Sequence, residues 1–258
     1  MVEVLAAQPE SAALLLDFDG SLAPIVVDPA TAAAPPETLD LLARLAERLA
    51  LVGIVSGRPV DFLAAAVPLD RVDLVGQYGL ERRVDGRIVI EPAALPFRDA
   101  VAQAATEAER RWPDLLIERK GQIAVTVHWR SIGERGEARA TEIEALAAEL
   151  GLGVYPTRRA RELRPPIAFD KGSAVRALLL STPAVTRAAF AGDDRGDLPA
   201  LDALDGLEAE GRLTTAIRIA VRSTEMPGEL LERADLVVDG PAGLVEWLSA
   251  LAERTQPG

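Results

Sequence analysis

The sequence predicts an α/β protein in which a parallel sheet is interrupted by an inserted α+β segment. At both ends of the chain, short apolar runs of strand type alternate with amphipathic helices, the pattern of βαβ units and a parallel sheet. In the middle, hairpins and Ala-, Glu- and Arg-rich helices replace this alternation. The charge balance changes there too: residues 81–164 hold 15 Lys and Arg against 14 Asp and Glu, and the remaining residues hold 13 against 26. We therefore predict a core domain of residues 1–82 and 165–258 and an inserted domain of residues 83–164.

The first part of the core begins with the apolar run 14–16, which ends at Asp17-Phe18-Asp19-Gly20. A helix is predicted to start at 35–38, because apolar residues then recur at helical spacing as far as Leu49. The next strands are predicted at 51–55 and 72–75, with a helix at 60–67 between them. Consecutive strands separated by helices imply parallel pairing.

The insert has a different pattern. A turn at Asp85-Gly86 predicts a hairpin, and two further strands are predicted within 115–129, joined at Gly121. Helices are predicted at 97–111 and 134–150, and short strands at 154–155 and 160–163. We expect Trp112 and Trp129 to lie in the core of this domain.

The alternating pattern returns in the last third of the chain. Helices are predicted at 171–180, 198–204 and 241–251, and strands at 188–191, 215–221 and 234–238. The strand at 188–191 is followed by Gly192-Asp193-Asp194-Arg195-Gly196-Asp197. This acidic segment therefore also follows a predicted strand.

Composition limits the classes of function. The chain of 258 residues has no cysteine and one histidine, His128, so a disulfide framework and a zinc site of several histidines are excluded. A net charge of −12 argues against a nucleic-acid backbone as partner. No apolar run has the length of a membrane span, and the start lacks the positive segment of a secretory signal. We expect a cytoplasmic, monomeric protein with no membrane or nucleic-acid partner.

Four polar features stand at strand ends or at a helix start: Asp17 with Asp19, Ser56-Gly57-Arg58, Lys171, and the cluster Asp193, Asp194 and Asp197. Each alone is compatible with an ordinary turn or a solvated charge. Because the carboxyl ends of parallel strands share one edge of a sheet, their joint order favours one site. The aspartates predict a hard cation such as Mg²⁺, since adjacent carboxylates otherwise repel each other.

These residue types suit phosphoryl transfer through an aspartyl phosphate. Asp17 would attack phosphorus, and Mg²⁺ would be held by Asp17, Asp193 and the main-chain carbonyl of Asp19. The Ser56 hydroxyl and the Gly57 amide would bind phosphate oxygens, with Arg58 a further substrate-binding candidate. Two charged side chains complete the chemistry: Lys171 would neutralise charge, and Asp19 would act as acid and then base. Asp194 and Asp197 would orient the waters of the metal.

The motifs resemble those of the haloacid dehalogenase (HAD) superfamily of aspartate-nucleophile phosphatases. Nearly the whole chain is similar to the trehalose-6-phosphate phosphatase family. The segments that carry this resemblance are 16–26, 54–58, 76–81, 117–120, 127–130, 162–166 and 170–172. The resemblance implies a Rossmann-like core, an α/β cap after the third strand, Mg²⁺ as cofactor, and a sugar phosphate as substrate.

The resemblance also implies which cap residues bind the sugar. They are Glu118, Lys120, Arg130 and Glu162, with Arg158 and His128 as further candidates. A charged side chain can give strong, directional hydrogen bonds to hydroxyls. The alternative for each residue is a solvated charge or a local ion pair.

The chain departs from the family pattern at three positions. Gly196 and Leu198 replace a hydroxyl and a carboxyl residue of the last motif, and Tyr78 stands where His or Asn is usual. These departures concern the substrate more than the reaction.

Hydrolysis of trehalose 6-phosphate is the leading hypothesis. A related sugar or glycosyl-glycerate phosphatase, or a catalytically weak domain that binds sugar phosphate, stays open. A nucleotide-dependent oxidoreductase is set aside, because no Gly-x-Gly-x-x-Gly turn follows a predicted strand.

Overall fold

Two sheets organise the chain in a computed structural model that describes residues 1–26, 28–129, 132–133, 136–157, 159–223 and 226–255. The strands are β1 (Ala12–Leu16), β2 (Leu51–Val55), β3 (Asp73–Gly76), β4 (Glu81–Val84), β5 (Arg87–Ile90), β6 (Leu116–Lys120), β7 (Ala124–His128), β8 (Gly153–Thr157), β9 (Ala160–Arg164), β10 (Arg187–Gly192), β11 (Thr215–Val221) and β12 (Leu236–Val238). The helices are α1 (Val2–Ala6), α2 (Pro36–Ala46), α3 (Val60–Ala66), α4 (Arg98–Arg111), α5 (Glu137–Glu149), α6 (Lys171–Ser181), α7 (Leu198–Ala209), α8 (Gly228–Arg233) and α9 (Gly240–Arg254).

The larger sheet has eight strands in the order β12-β11-β10-β1-β2-β3-β4-β5. The strands from β12 to β3 run parallel, and β4 pairs antiparallel to β3. Strand β1 lies at the centre, between β10 and β2. The residues that follow β1 and β10 therefore meet at the same edge of the sheet.

Strand β1 is buried on both faces, which explains why its sequence is a continuous apolar run. Leu14 and Leu16 contribute to one apolar cluster with residues of α2, α3 and α9, whereas Ala13 and Leu15 contribute to a second cluster with residues of α6, α7 and α8. Successive side chains of a strand point to opposite faces, so one strand supplies both clusters. The sheet is covered by helices on both sides, and the predicted fold class is confirmed.

A second sheet of four antiparallel strands has the order β6-β7-β9-β8. One face of it carries Val125, Val127 and Leu163, which pack with apolar residues of α4 and α5. Trp112 and Trp129 belong to the same cluster and are almost fully buried, as expected. The predicted start of the second helix at Glu134 lies outside the described residues.

The chain separates into two compact units, one of Met1–Ile88 with Phe169–Gly258 and one of Val89–Ala168. The predicted hairpin around Asp85-Gly86 is present, and it extends the larger sheet as β4 and β5. The domain limits predicted from the sequence lie a few residues before these boundaries, and the assignment of the insert as a cap stays a prediction. Among the described residues, no helix is at once long enough and apolar enough to cross a bilayer.

Candidate active site

Asp17 is the first residue after β1, and its position is fixed by the sheet. Its backbone N–H donates to the carbonyl of Ala191 in β10 at 2.8 Å, which continues the parallel ladder by one residue. The residue is only 4% exposed. A buried carboxylate needs partners, because desolvation disfavours its charged form.

Lys171 supplies one partner from the first turn of α6. The helix starts with a capping box, in which the Asp170 carboxylate accepts the Ser173 N–H at 2.8 Å and the Ser173 hydroxyl accepts the Asp170 N–H at 3.0 Å. The Lys171 ammonium lies 2.6 Å from Asp17 Oδ1 and 2.6 Å from Asp197 Oδ1. One cation therefore joins the end of β1 to the acidic segment after β10.

Asp197 organises that acidic segment. Its Oδ2 accepts the backbone N–H groups of Asp193 at 2.9 Å and Asp194 at 3.0 Å, and the residue is fully buried. Asp194 in turn accepts the Gly196 N–H at 2.8 Å. The segment thus folds back as a short 3-10 turn before α7, and Asp197 points to the ammonium of Lys171.

The charges in this cluster do not balance. If Asp17, Asp193, Asp197 and Lys171 are all ionised, the three carboxylates and one ammonium leave two excess negative charges. Burial raises the pKa of Asp17 well above its usual value and also raises that of Asp197. Burial and the neighbouring carboxylates raise the pKa of Asp193 to about 7. Burial on its own would lower the pKa of Lys171, but Asp17 and Asp197 outweigh it and the pKa lies well above the usual value.

The same cluster fits a divalent cation. One oxygen from each of Asp17, Asp193 and Asp197 lies within 4.8 Å of the others. Asp193 Oδ1 is buried and has no hydrogen-bond partner among the described residues. Gly20, with φ of +83°, passes so close to Asp193 that a Cβ there would overlap its carboxylate. All donors are carboxylate oxygens, the type that Mg²⁺ prefers.

Asp19 lies apart from this carboxylate group. Its Oδ2 accepts from Arg58 Nε and its Oδ1 from Arg58 Nη2, both at 2.7 Å. The sequence predicts that Asp19 holds the metal through its main-chain carbonyl, and this stays a prediction. The structure brings together the carboxylates of Asp17, Asp193 and Asp197, whereas the sequence predicts for Asp197 only a role toward waters of the metal.

Ser56 and Gly57 follow β2, the neighbour of β1. Ser56 is 2% exposed, its N–H donates to the carbonyl of Val75, and its hydroxyl accepts the Arg58 N–H at 3.2 Å. Gly57 lies against the ring of Tyr78. The predicted phosphate-binding segment is therefore in the same unit as Asp17 and Lys171, at the carboxyl end of an adjacent strand.

The candidate sugar-binding residues form two pairs in the smaller unit. Lys120 Nζ lies 2.7 Å from Glu162 Oε2, and His128 Nε2 lies 2.8 Å from Glu118 Oε2. The register pairs Glu118 with Thr126 and Thr126 with Glu162, so the charged residues share one face of the sheet. The other face carries the apolar cluster. Two further candidates, Arg130 and Arg158, lie outside the described residues.

A family model described as trehalose-phosphatase matches residues 15–240. The chain belongs to the trehalose-phosphatase family. This confirms the membership that the sequence motifs predict.

A curated protein and two solved structures show what this chain is similar to. The trehalose-phosphate phosphatase of Mycobacterium tuberculosis is 30% identical over 260 residues, which cover 97% of this chain and 63% of that protein. The chain thus spans less than two thirds of this relative. A crystal structure of a trehalose-6-phosphate phosphatase related protein is 26% identical with a TM-score of 0.75, covering 93% of this chain and 97% of the other. A haloacid dehalogenase-like hydrolase from Bacteroides thetaiotaomicron shares the fold at 16% identity, with a TM-score of 0.60 and coverage of 93% and 99%.

The sequence does not predict the partners of two acidic residues. Glu81 belongs to the motif 76–81, and its Oε2 accepts the backbone N–H of Val60 at 2.8 Å, at the start of α3. Its buried carboxylate therefore supports the helix that follows the Ser56–Arg58 segment. The second acidic residue is Asp19, whose carboxylate accepts two hydrogen bonds from Arg58. The available signal for this pair is that Arg58 and Asp19 follow two adjacent parallel strands, so their side chains reach the same edge of the sheet.

Proposed function

We propose that this chain is a Mg²⁺-dependent phosphatase that hydrolyses trehalose 6-phosphate to trehalose and phosphate through an aspartyl phosphate on Asp17. The observation that carries the proposal is the buried contact of Lys171 with both Asp17 and Asp197, at 2.6 Å each. Beside it lies Asp193 Oδ1, for which the described part of the chain offers no hydrogen-bond partner. In a chain of the trehalose-phosphatase family, this arrangement fits a nucleophile held beside a cation site.

In the first half of the reaction, a carboxylate oxygen of Asp17 attacks phosphorus as the bond between phosphorus and the sugar oxygen breaks. The Lys171 ammonium neutralises charge on the nucleophile and on the phosphoryl group. Asp19 donates a proton to the departing sugar oxygen, because an alkoxide leaves poorly without one. The Ser56 hydroxyl and the Gly57 amide bind phosphate oxygens.

In the second half, Asp19 accepts a proton from water as that water attacks the phosphorus of the aspartyl phosphate. The bond between phosphorus and Asp17 breaks, and phosphate and the free carboxylate are restored. Asp17 and Asp193, with Asp197 beside them, would hold Mg²⁺, which would supply positive charge against the repulsion between the carboxylate and the phosphate.

Specificity for the sugar is assigned to the charged face of the smaller sheet. Glu118, Lys120, His128 and Glu162 would hydrogen-bond the sugar hydroxyls, and Arg130 and Arg158 are further candidates. Glu162 is 2% exposed and Lys120 lies 2.7 Å from it, so both side chains have restricted orientations. Hydrogen-bond donors and acceptors whose orientations are fixed favour one arrangement of sugar hydroxyls over another.

The experiment is phosphate release from a panel of esters, each with Mg²⁺ and with EDTA. The panel contains trehalose 6-phosphate, glucose 6-phosphate, a glycosyl-glycerate phosphate and p-nitrophenyl phosphate. We expect the highest kcat/KM on trehalose 6-phosphate and no release with EDTA. A preference for another sugar ester would retain the reaction and reject the substrate. Absence of release from all of them would favour a sugar-phosphate-binding domain. A cytoplasmic location and a monomeric state stay predictions from the sequence.

A further inference from the structure

The three-residue turn after β3 has an unusual backbone. Gln77, Tyr78 and Gly79 have φ angles of 51°, 58° and 108°. Glycine adopts this left-handed region readily, but glutamine and tyrosine do so only when their surroundings impose it. Gln77 is also fully buried. The contacts of this turn are therefore the place to look for what imposes its conformation.

Two backbone hydrogen bonds attach the turn to the segment 56–58. The Gln77 N–H donates to the carbonyl of Arg58 at 2.9 Å, and the Tyr78 N–H donates to the carbonyl of Ser56 at 3.0 Å. The two bonds span the predicted phosphate-binding residues from either side. A change in the turn would therefore move Ser56, Gly57 and Arg58 together.

The ring of Tyr78 adds a side-chain contact at the middle of that segment. A Cβ built on Gly57 would lie 2.7 Å from both Cζ and Oη of Tyr78. The phenol therefore fills the space into which a side chain at position 57 would project. The ring supports the Gly57 backbone from one side, and only glycine leaves room for it.

The same turn also contacts the helix that carries Lys171. A Cβ built on Gly79 would lie 3.2 Å from the Cβ of Ala174 and from Cδ1 of Phe169. Ala174 belongs to the first turn of α6, and Lys171 is the first residue of that helix. The turn thus touches both the Ser56–Arg58 segment and the helix that supplies the ammonium.

We propose that Tyr78 is a positioning residue for phosphate binding: its ring holds the Gly57 backbone at a fixed place relative to Lys171. The proposal rests on the proposed function, in which the Gly57 amide binds a phosphate oxygen. The chemistry at Asp17 does not involve the ring. Loss of the ring therefore affects affinity for the phosphate group more than the rate of the bound ester.

The test uses three variants of the full chain. Tyr78→Phe keeps the ring, Tyr78→Ala removes it, and Tyr78→Asn removes it but tolerates the left-handed backbone. Binding of inorganic phosphate with Mg²⁺ present is measured by calorimetry, and KM and kcat are measured for the best ester of the panel. We expect Tyr78→Ala and Tyr78→Asn to bind phosphate about tenfold more weakly and to raise KM more than they lower kcat, since small displacements of a binding group are costly. Tyr78→Phe is expected to stay within about twofold of the parent.

A double-variant comparison separates the ring contact from general loss of structure. Gly57→Ala places a methyl group against the ring, so it is expected to weaken phosphate binding more in the parent than in Tyr78→Ala. Thermal melting of each variant shows whether it is folded. If Asn and Ala at position 78 leave phosphate binding within twofold of the parent, or if Phe weakens it as much as Ala does, the ring has no positioning role. If the parent itself binds no phosphate, the proposed function fails instead.

Discussion

Arg58 and Asp19 form a two-pronged ion pair, in which Nε and Nη2 of the guanidinium each donate to one carboxylate oxygen at 2.7 Å. The guanidinium carbon lies 4.4 Å from the centroid of the Phe62 ring, so the arginine is held from two directions. Asp19 is two residues after Asp17, but its carboxylate is oriented by the segment after β2. This contact predicts that Arg58 also positions Asp19, in addition to the substrate-binding role that the sequence predicts for it.

Replacing Arg58 is expected to affect poor leaving groups most. In Arg58→Ala, we expect kcat on trehalose 6-phosphate to fall by about a hundredfold, the scale of general acid catalysis. The reason is that Arg58 no longer orients the Asp19 carboxyl that protonates the departing sugar oxygen. On p-nitrophenyl phosphate, whose leaving group needs no proton, the fall is much smaller. Arg176→Ala, which removes an exposed arginine 2.7 Å from Glu210, serves as control. An equal loss on both esters would show that Arg58 acts on the phosphate and not through Asp19.

The raised pKa of Asp193 predicts how the stability of the metal-free protein depends on pH. Its pKa is about 7 in the folded chain against 3.8 for a free side chain, so the folded state holds the proton more tightly. The stability from this group is present below about pH 4 and is lost as pH rises to about 7, by at most about 1.4 kcal/mol per pH unit. In EDTA we therefore expect a higher melting temperature at pH 5 than at pH 8.

Asp193→Asn tests that assignment. The variant is expected to show a flatter dependence, with a residual slope because burial also raises the pKa of Asp17 and Asp197. Mg²⁺ added at pH 8 is expected to raise the melting temperature of the parent more than that of the variant, since a ligand stabilises the state that binds it. Identical pH profiles for parent and variant would remove Asp193 as the source.

The hydrogen bonds of Asp197 predict that its replacement by alanine and by asparagine will differ in their effect on stability. Asp197→Ala leaves the buried N–H group of Asp193 and the partly buried N–H group of Asp194 without the acceptor they have at 2.9 and 3.0 Å. Asp197→Asn retains an oxygen for them, and its uncharged NH₂ group replaces the oxygen that accepts from Lys171. We expect the alanine variant to be less stable than the asparagine variant by about 2 kcal/mol in denaturant unfolding, the cost of buried donors left without a partner. Equal stability of the two would mean that these amides find other acceptors.

The charged face of the smaller sheet predicts a change of substrate preference. Lys120→Met and Glu162→Gln each disrupt the pair at 2.7 Å, and we expect KM for trehalose 6-phosphate to rise about tenfold because charge-assisted hydrogen bonds are lost. KM for p-nitrophenyl phosphate, which has no sugar, stays unchanged. The control is Arg119→Ala, an adjacent residue of β6 whose side chain pairs with Glu109 at 2.9 Å. Parallel effects on both esters would assign the pair a structural role.

The arrangement of Asp17, Lys171 and Asp193 could be predicted from the sequence because it follows from topology. Two parallel strands that end in acidic residues deliver those residues to one sheet edge, and β1 and β10 are indeed neighbours. The division into a parallel core and an α+β insert also followed from alternation of elements and from charge. The alternation of elements and the charge balance are both read over many residues, so one residue that departs from the pattern does not change the prediction.

The partners of individual side chains could not be predicted. Asp19 lies two residues after Asp17 and faces Arg58. Asp197 lies four residues after Asp193 and faces Lys171. In both cases the conformation of the local turn decides which partner the carboxylate meets. The left-handed Tyr78 was missed because tyrosine carries no preference for that conformation. Helix α1 was missed because five residues are too few for a helical period, and its stability comes from burial of Leu5.

The proposed reaction depends on a covalent bond between Asp17 and phosphorus, which chemical trapping can detect. The protein is mixed with trehalose 6-phosphate and Mg²⁺, quenched in acid within the first turnover and reduced with borohydride, which converts an acyl phosphate to an alcohol. Peptide mass spectrometry is then expected to find homoserine at position 17, and to find none there in a control without substrate. Rapid release of phosphate with Asp17 unmodified, or with homoserine at position 19 or 193 instead, would rule out Asp17 as the nucleophile.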